Sequence, residues 1–255
     1  MKKSLKILIE TFLKIVTHIL GKINPGRYIL DELNKNIIKK KKTILFKDLK
    51  LIFYTPNRLC YYRVNTFQTK EPETLEWIGK FKERSIFWDI GANIGLYSCY
   101  AAKKNLCKVY AFEPSIFNLE WLGRNIFLNN LVEKIVVIPI PLTEIISENT
   151  LNFSSTEWSG ALTTFGQSYG HDGKDLKKVF EFSTLGMSMN DIKNLLKISQ
   201  PDYIKIDVDG IEHLILKGGE KVLLNTKELL IEVNERFEQQ KNSCAKYLKE
   251  LGFSL

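Results

Sequence analysis

The sequence predicts an α/β fold with a mostly parallel central sheet. Short apolar runs typical of buried strands alternate with segments of helical periodicity along most of the chain. This alternation implies a parallel sheet with right-handed crossovers. Three of the apolar runs end at an acidic residue, and open α/β sheets bind ligands at the carboxyl ends of their strands. The same pattern therefore predicts both the fold and the edge of the sheet that carries the site.

Residues 1–82 are predicted to form an N-terminal extension. Apolar residues recur at helical spacing from Met1 to about Leu20, between lysines, and Asn24-Pro25-Gly26 is expected to end this amphipathic helix. Two interpretations of the helix stay open: it lies on an anionic membrane surface, or it docks onto the rest of the chain or a second subunit. Strand character follows over Thr43 to Tyr62. Acids and a proline predict a helix start at Pro72.

The first strand of the sheet, Ile86 to Ile90, leads into a glycine-rich turn and a helix from Leu96 to about Lys103. Glycine lets the backbone approach a ligand closely, and the helix start offers free N–H groups. The spacing is D-x-G-x-x-x-G from Asp89 to Gly95, whereas a dinucleotide fingerprint reads G-x-G-x-x-G. An acid before the first glycine suits a ligand with a positive end, such as S-adenosylmethionine (SAM), and would oppose a pyrophosphate.

The second strand, Lys108 to Phe112, ends at Glu113-Pro114. A carboxylate about 20 residues past a glycine turn can accept hydrogen bonds from both ribose hydroxyls. NAD and SAM share that ribose, so Glu113 alone does not separate them. A helix from about Ser115 to Asn129 and a third strand, Ile135 to Ile140, are predicted to follow.

Residues 143–184 break the alternation and are predicted to form a loop-rich insert. They contain short polar and aromatic pieces with several glycines, and long irregular segments beside a nucleotide site commonly bind substrate. Trp158 with Ser159-Gly160 is a candidate stacking surface for a sugar. The alternation then resumes with a helix at Asp191–Ile198, strands at Tyr203–Ile206 and Glu228–Val233, and a last helix from about Phe237 to Leu251.

Composition narrows the functional classes. Hydrophobic residues make up 44% of the 255, and no apolar run approaches the roughly 18 residues of a membrane span. The four cysteines include no C-x-x-C pair and histidines number three, which argues against zinc and agrees with a reducing cytoplasm. The net charge of +8 leaves an anionic partner or a solvated lysine-rich surface open.

Taken together, these segments resemble the FkbM family of SAM-dependent methyltransferases. The resemblance covers about Leu51 to Gly252 and implies a Rossmann-like class I methyltransferase domain over residues 83–255. In this family the sheet continues past the fifth strand, so we expect a shortened C-terminal sheet edge here. The segments that carry the resemblance are Lys70–Trp77, Trp88–Ser98, Val109–Pro114, Asn125 with Leu128-Asn129, Lys205–Glu212, Leu216–Gly218 and Leu230–Val233.

The resemblance also implies a cofactor site. In it, the turn residues would hold the methionine part of SAM, Glu113 would hold the ribose, and Asp207 would close the site after the fourth strand. The residues predicted to bind the cofactor are Asp89, Gly91, Asn93, Gly95, Glu113, Pro114, Asn129 and Asp207.

Methyl transfer to a hydroxyl calls for a base or a metal, because a protonated hydroxyl is a poor nucleophile. Asp207, Asp209, Glu232 and His213 are the candidate catalytic residues. Asp207 and Asp209 point the same way along an extended segment, so with Asn234 they could hold Mg²⁺ through oxygen atoms. The structural alternatives are a helix cap at Asp209 and a packed helix histidine at His213.

Three functions stay open at this point. The favoured one is O-methylation of a sugar hydroxyl in a glycan, polysaccharide or glycolipid precursor. The charge is compatible with RNA methylation, although Asp207-Val-Asp-Gly210 stands where a base methyltransferase would carry an N-P-P-Y-type sequence. A non-catalytic SAM-fold binding protein is the third. We expect a cytoplasmic protein, with peripheral contact at the inner membrane face if residues 1–20 bind lipid, and we leave the oligomeric state open.

Overall fold

The computed structural model describes residues 3–254. The N-terminal part contains four helices and a hairpin of two antiparallel strands within that range. Its elements are α1 (Lys3–Gly21), α2 (Asn24–Ile38), β1 (Lys41–Phe46), β2 (Leu49–Tyr54), α3 (Arg58–Asn65) and α4 (Pro72–Gly79). None of the helices described is both long enough and apolar enough to cross a bilayer.

Two predictions about this part were wrong. Asn24-Pro25-Gly26 begins α2 instead of ending the helical segment, because proline fits the first turn of a helix, where its missing N–H is not needed. The strand character predicted up to Tyr62 stops at Tyr54. There Asn57 caps a new helix, its side-chain oxygen accepting a hydrogen bond from the Cys60 N–H at 2.8 Å.

The rest of the chain alternates strands and helices as predicted, around an insert. The elements are β3 (Ile86–Ile90), α5 (Leu96–Lys104), β4 (Lys108–Phe112), α6 (Ile116–Leu128), β5 (Ile135–Ile138), β6 (Ser147–Phe153), β7 (Thr163–Phe165), β8 (Phe180–Gly186), α7 (Met189–Leu195), β9 (Tyr203–Ile206), α8 (Glu212–Lys217), α9 (Glu220–Leu223), β10 (Glu228–Ile231) and α10 (Glu238–Glu250).

The central sheet has the strand order β10-β9-β3-β4-β5, and its strands are parallel throughout. The predicted α/β class and parallel sheet are therefore confirmed. Among residues 3–254 the edge strand on the β9 side of the sheet is β10. The strand order reverses between β3 and β9. The strands β4 and β5 lie on one side of β3, whereas β9 and β10 lie on its other side. A crevice forms at such a switch point, outside the carboxyl ends of the strands.

Apolar layers cover both faces of the sheet. Successive residues of a strand point to opposite faces, so Phe87 lies in one layer and Trp88 in the other. The layer around Phe87 includes Tyr100 and Trp121 from α5 and α6, and the opposite layer includes Ile215 of α8. The strands read as nearly unbroken apolar runs because both of their faces are buried.

The insert forms its own sheet, with the order β7-β6-β8 and antiparallel pairing. It is more regular than the predicted loop-rich segment. Leu151, Phe153 and Phe165 are buried against the layer that contains Trp88. The insert therefore contributes to the core and covers the carboxyl ends of the central strands.

Candidate active site

The glycine turn lies at the switch point between β3 and β9. Gly91 has a φ of 86°, and a Cβ atom there would stand 1.8 Å from the backbone oxygen of Asp207, so only glycine fits. The N–H groups of Gly91 and Ala92 both donate to the Phe112 oxygen at 3.0 Å. Gly95, with a φ of 82°, precedes α5, and a Cβ there would lie 2.6 Å from a methyl carbon of Leu122. At both positions glycine is therefore required by close packing and by the positive φ.

Glu113 is buried directly across from this turn. Its carboxylate accepts hydrogen bonds from the backbone N–H groups of Asn93, at 2.7 Å, and Ser115, at 2.8 Å. Burial raises the pKa of Glu113 to about 7, although these two hydrogen bonds oppose the shift. Near neutral pH the carboxyl group therefore lies close to the midpoint of its titration.

A segment of the insert is hydrogen-bonded to the turn. The Gly160 oxygen accepts from the side-chain amides of both Asn93, at 2.9 Å, and Asn118, at 3.1 Å. The Ser159 hydroxyl donates to the Asn93 side-chain oxygen at 2.9 Å. On the other side, the Leu162 N–H donates to Asp209 at 2.7 Å. These bonds fix residues 159–162 between the ends of β3 and β9.

A cavity opens between the turn, the insert and the carboxyl ends of the strands. Its wall includes buried Asn118, whose side-chain oxygen has no hydrogen-bond partner among the described residues. A buried acceptor without a partner is costly, so this atom is available to a donor on a bound ligand. Residues that line the cavity include Gly91, Asn93, Glu113, Pro114 and Asp207 from the predicted cofactor site, Asp209 and Glu232 from the predicted catalytic set, Gly160 from the candidate stacking segment, and Arg63, Lys70 and Asn118, which the sequence analysis did not single out as site residues.

A charged cluster borders the cavity where β9 and β10 end. Buried Lys205 places its ammonium nitrogen 2.7 Å from the Asp207 carboxylate. Burial raises the pKa of Asp207, but the Lys205 charge and a hydrogen bond shared with Glu232 lower it well below its usual range. The pKa of exposed Glu232 is raised in turn, because it shares that hydrogen bond and lies beside the Asp207 charge. Two carboxyl groups here therefore hold one proton between them.

Asp89 lies below the turn and does not line the cavity. It pairs laterally with Lys205 across β3 and β9, so both side chains point to the layer around Phe87. One carboxylate oxygen accepts from the Ser98 hydroxyl at 2.5 Å, and the other has no partner among the described residues. Burial raises the pKa of Asp89 while the Lys205 charge opposes the shift. Asp89 thus binds α5, the helix that follows the turn, on the side of the sheet away from the cavity.

Asn129 also lies away from the cavity. Its side chain accepts from the Ile52 N–H at 2.9 Å and donates to the Ile52 oxygen at 2.7 Å, while Asn125 accepts from the Tyr54 N–H at 2.9 Å. Asn125 lies in the last turn of α6 and Asn129 directly follows the helix, and both bind the free edge of β2. The sequence analysis noted both asparagines, but their partner is the N-terminal hairpin.

Other predicted residues are not brought to the cavity. His213 lies on α8 beside Phe237, and burial lowers its pKa. Its position is that of the packed helix histidine that the sequence also allowed. Trp158, the candidate sugar-stacking residue, packs against Trp121 with ring centroids 5.1 Å apart.

The predicted magnesium ligands do not fit a metal. Asp207 is paired with Lys205, and Asp209 accepts from the Leu162 N–H. Asn234 lines a neighbouring depression together with Asp209 and Glu232, and its side-chain oxygen accepts from the Arg236 N–H at 2.9 Å. Over residues 3–254, no three or more histidine, cysteine, aspartate or glutamate side chains are grouped so as to hold a metal ion. We derive no metal-dependent step.

Comparison with known proteins decides the family. The methyltransferase FkbM domain matches residues 89–255, from the acid before the glycine turn onward. The chain belongs to the FkbM methyltransferase family. The resemblance inferred from the sequence motifs is therefore confirmed.

This FkbM methyltransferase is similar to hexuronic acid methyltransferase AglP of Haloferax volcanii. The two are 24% identical over 153 residues, which span 60% of this chain and 57% of AglP. Among solved structures, the FkbM methyltransferase of Methylobacillus flagellatus KT matches 74% of this chain and 47% of its own, with 19% identity and a TM-score of 0.47. M. jannaschii TYW2 in complex with AdoMet matches 83% and 73%, with 14% identity and a TM-score of 0.44.

Proposed function

We propose that this protein is an SAM-dependent O-methyltransferase that acts on a hydroxyl group of a sugar. The observation that carries the proposal is the cavity at the switch point, which is lined by the glycine turn, by Glu113 and by the Asp207–Glu232 pair. A cofactor held by the turn and Glu113 would present its reactive group toward the carboxyl pair. Family membership supports methyl transfer, and the cavity supports this arrangement.

The residues of the cavity suit the parts of SAM. Glu113 would accept hydrogen bonds from the ribose hydroxyls, as predicted. The free side-chain oxygen of Asn118 would accept from the exocyclic amine of the adenine. Gly91 and Asn93 would hold the methionine part by close backbone approach, and the carboxylates around the cavity favour a sulfonium cation.

Asp207 and Glu232 would take the proton from the acceptor. SAM, when bound, supplies a methyl group on a positively charged sulfur. As the acceptor oxygen bonded to the methyl carbon, the C–S electron pair would go to sulfur and the hydroxyl proton would go to Glu232 in its ionised form. Lys205 keeps Asp207 ionised, and Glu232 is the member that gains and loses the proton. The chain thereby supplies both alignment and a base.

Two observations support a sugar as the acceptor. AglP, to which the chain is similar, is a hexuronic acid methyltransferase. The cavity has Arg63 and Lys70 at its wall, where the Arg63 Nε donates to the Ser159 oxygen at 3.0 Å. Cationic side chains in the cavity wall suit a sugar that carries a carboxylate.

Calorimetry and mass spectrometry test the proposal in two steps. Titration with S-adenosylhomocysteine is expected to give one binding site per chain. Incubation with SAM and glucuronic-acid glycosides should then add 14 mass units per acceptor (about one CH₂, from the exchange of H for CH₃) at an oxygen atom.

Three results would contradict the proposal, each in a different way. Absence of S-adenosylhomocysteine binding would favour a non-catalytic protein. Binding without transfer to any sugar, together with methylation of RNA and a steep salt dependence of RNA affinity, would favour the RNA alternative that the net charge of +8 allows. Methylation on carbon or nitrogen would exclude O-methylation.

A further inference from the structure

Helix α1 exposes a large apolar surface. Every side chain described from Ser4 to Ile15 is exposed, including Leu8 at 68% and Phe12 at 64%. The helix meets α2 where buried Gly26 packs against the backbone of Leu20. Its apolar side chains otherwise have no covering element in the described part of the chain, and such a surface calls for a partner.

The apolar residues of α1 occupy one side of the helix. At about 100° per residue, nine of them fall within an arc of about 160°. Lys6, Glu10 and Lys14 lie on the opposite side, together with Thr17 and His18. The nine apolar residues are Leu5, Leu8, Ile9, Phe12, Leu13, Ile15, Val16, Ile19 and Leu20, and Ile7 is the one apolar residue on the polar side.

The charge around this helix is positive. Residues 1–22 contain five lysines and one glutamate, a side-chain net charge of +4, and a further four lysines stand at 39–42, where α2 meets β1. Lys14, Lys22 and Lys39 form none of the described ion pairs. An anionic surface therefore complements this region, because each basic residue near such a surface adds to the attraction.

We propose that α1 binds in the plane of an anionic lipid bilayer, with its apolar arc in the boundary between headgroups and acyl chains and its lysines at the phosphates. Three observations favour a bilayer over a second copy of the chain. The arc is wider than the two positions in seven of a helix–helix seam, the helix is not long and apolar enough to span the bilayer, and residues 1–22 carry a net positive charge.

Vesicle flotation of the full chain tests the proposal without any methyl donor or acceptor, so its outcome is separate from that of the proposed function. The chain should float with vesicles of phosphatidylcholine and phosphatidylglycerol in a 2:1 ratio and stay in the dense fraction with phosphatidylcholine alone. Leu8→Gln and Phe12→Gln should each lower the partition coefficient by about tenfold, since each removes a large apolar side chain from the boundary.

Ile7→Gln is the matched control, because Ile7 is 54% exposed and lies on the polar side of the same helix. It should change the partition coefficient less than twofold. Lys14→Glu with Lys22→Glu should lower binding to the anionic vesicles by about tenfold or more. Glutamine preserves helix propensity, and circular dichroism checks that each variant is folded.

Several outcomes would overturn the proposal. One is the absence of flotation with anionic vesicles. Another is an equal loss for Ile7→Gln and Leu8→Gln, which would mean that the apolar arc is not the binding face. A third is a chain that is dimeric by light scattering, becomes monomeric on Leu8→Gln and binds no vesicles, which would assign the surface to a second copy.

Discussion

At the scale of single residues, the environment sets the task of each acidic side chain. Asp89 lies within β3 while Glu113 and Asp207 directly follow β4 and β9, and the three acids differ in surroundings. Asp89 faces Ser98 and Lys205 behind the sheet, Glu113 accepts two backbone N–H groups at the cavity, and Asp207 is held ionised by Lys205. The sequence predicted where these acids stand. It could not predict which of them opens to the cavity, because that depends on lateral pairing between strands that are distant in the chain.

Glu113→Gln should weaken S-adenosylhomocysteine binding by about tenfold, roughly 1.4 kcal/mol, because the ionised carboxylate would accept from the ribose hydroxyls. In the parent, the affinity should fall as pH drops through about 7, where Glu113 gains its proton. Calorimetry between pH 6 and 8.5 measures both effects, and the variant should show a flatter profile. Glu120→Gln, on the outer side of α6, is the control; equal affinities for Glu113→Gln and the parent would remove Glu113 from the cofactor site.

Glu232→Gln should lower kcat by about 100-fold, because the amide cannot take the proton of the acceptor hydroxyl. The KM for SAM should stay within twofold. Since the pKa of Glu232 is raised, the rate of the parent should increase with pH as Glu232 becomes ionised, and the variant should lose this dependence. Glu235→Gln, three residues on and pointing to solvent, controls for the loss of a charge. A pH profile shared by parent and Glu232→Gln would assign the proton to another group.

At the scale of elements, side chains of the helices and of the insert hold the site together. Asn125 of α6 and Asn129, which directly follows the helix, bind the edge of β2, and Asn118 of the same helix binds the Gly160 oxygen. Sequence periodicity predicted α6 within a residue or two of its ends. It did not predict α2, because a proline reads equally well as the end or the start of a helix. Nor did it predict the pairing of the insert, whose strands carry too little alternation to fix a register.

Asn129→Ala should reduce the free energy of unfolding by about 1–3 kcal/mol, because it leaves the Ile52 N–H and oxygen without their partner. Binding of S-adenosylhomocysteine should change less than twofold. Urea denaturation and calorimetry provide the two measurements, and exposed Asn225→Ala is the control. The opposite pattern, unchanged stability with weaker binding, would restore Asn129 to the cofactor site that the sequence predicted.

At the scale of the whole molecule, the fold buries acidic side chains near the carboxyl ends of its central strands. Glu113 and Glu212 are both buried, and burial is the main cause that raises each pKa to about 7. Glu212 accepts from the Gly210 N–H at 3.1 Å and so holds the loop that carries Asp207 and Asp209. The alternation of strands and helices predicted the architecture as a whole, since any parallel sheet needs crossovers. The protonation states of the acids around the cavity depend on tertiary contacts, so they could not be predicted from the sequence.

The free energy of unfolding should decrease as pH rises from about 4.5 to about 7 on account of these two acids. Their folded pKa exceeds the ordinary value of 4.5, so the folded state holds more protons in this window. The stabilisation is complete below pH 4.5 and is lost as pH passes through 7. Urea denaturation of the cofactor-free protein at several pH values measures the slope. Glu113→Gln with Glu212→Gln should flatten it, and an unchanged slope would assign the dependence to other groups.

The double hydrogen bond on the Gly160 oxygen limits how this enzyme can be re-engineered. Asn93 belongs to the turn that starts the domain, Asn118 to α6, and Gly160 to the insert, so three segments share one carbonyl group. Exchanging the insert for that of a relative, in order to change the acceptor, would leave two buried amides without an acceptor unless the graft reproduces the carbonyl at the same place. If the insert selects the acceptor and the turn binds the donor, as proposed, then the two tasks are structurally coupled, and we expect a productive chimera to need Asn93, Asn118 and the insert transferred together.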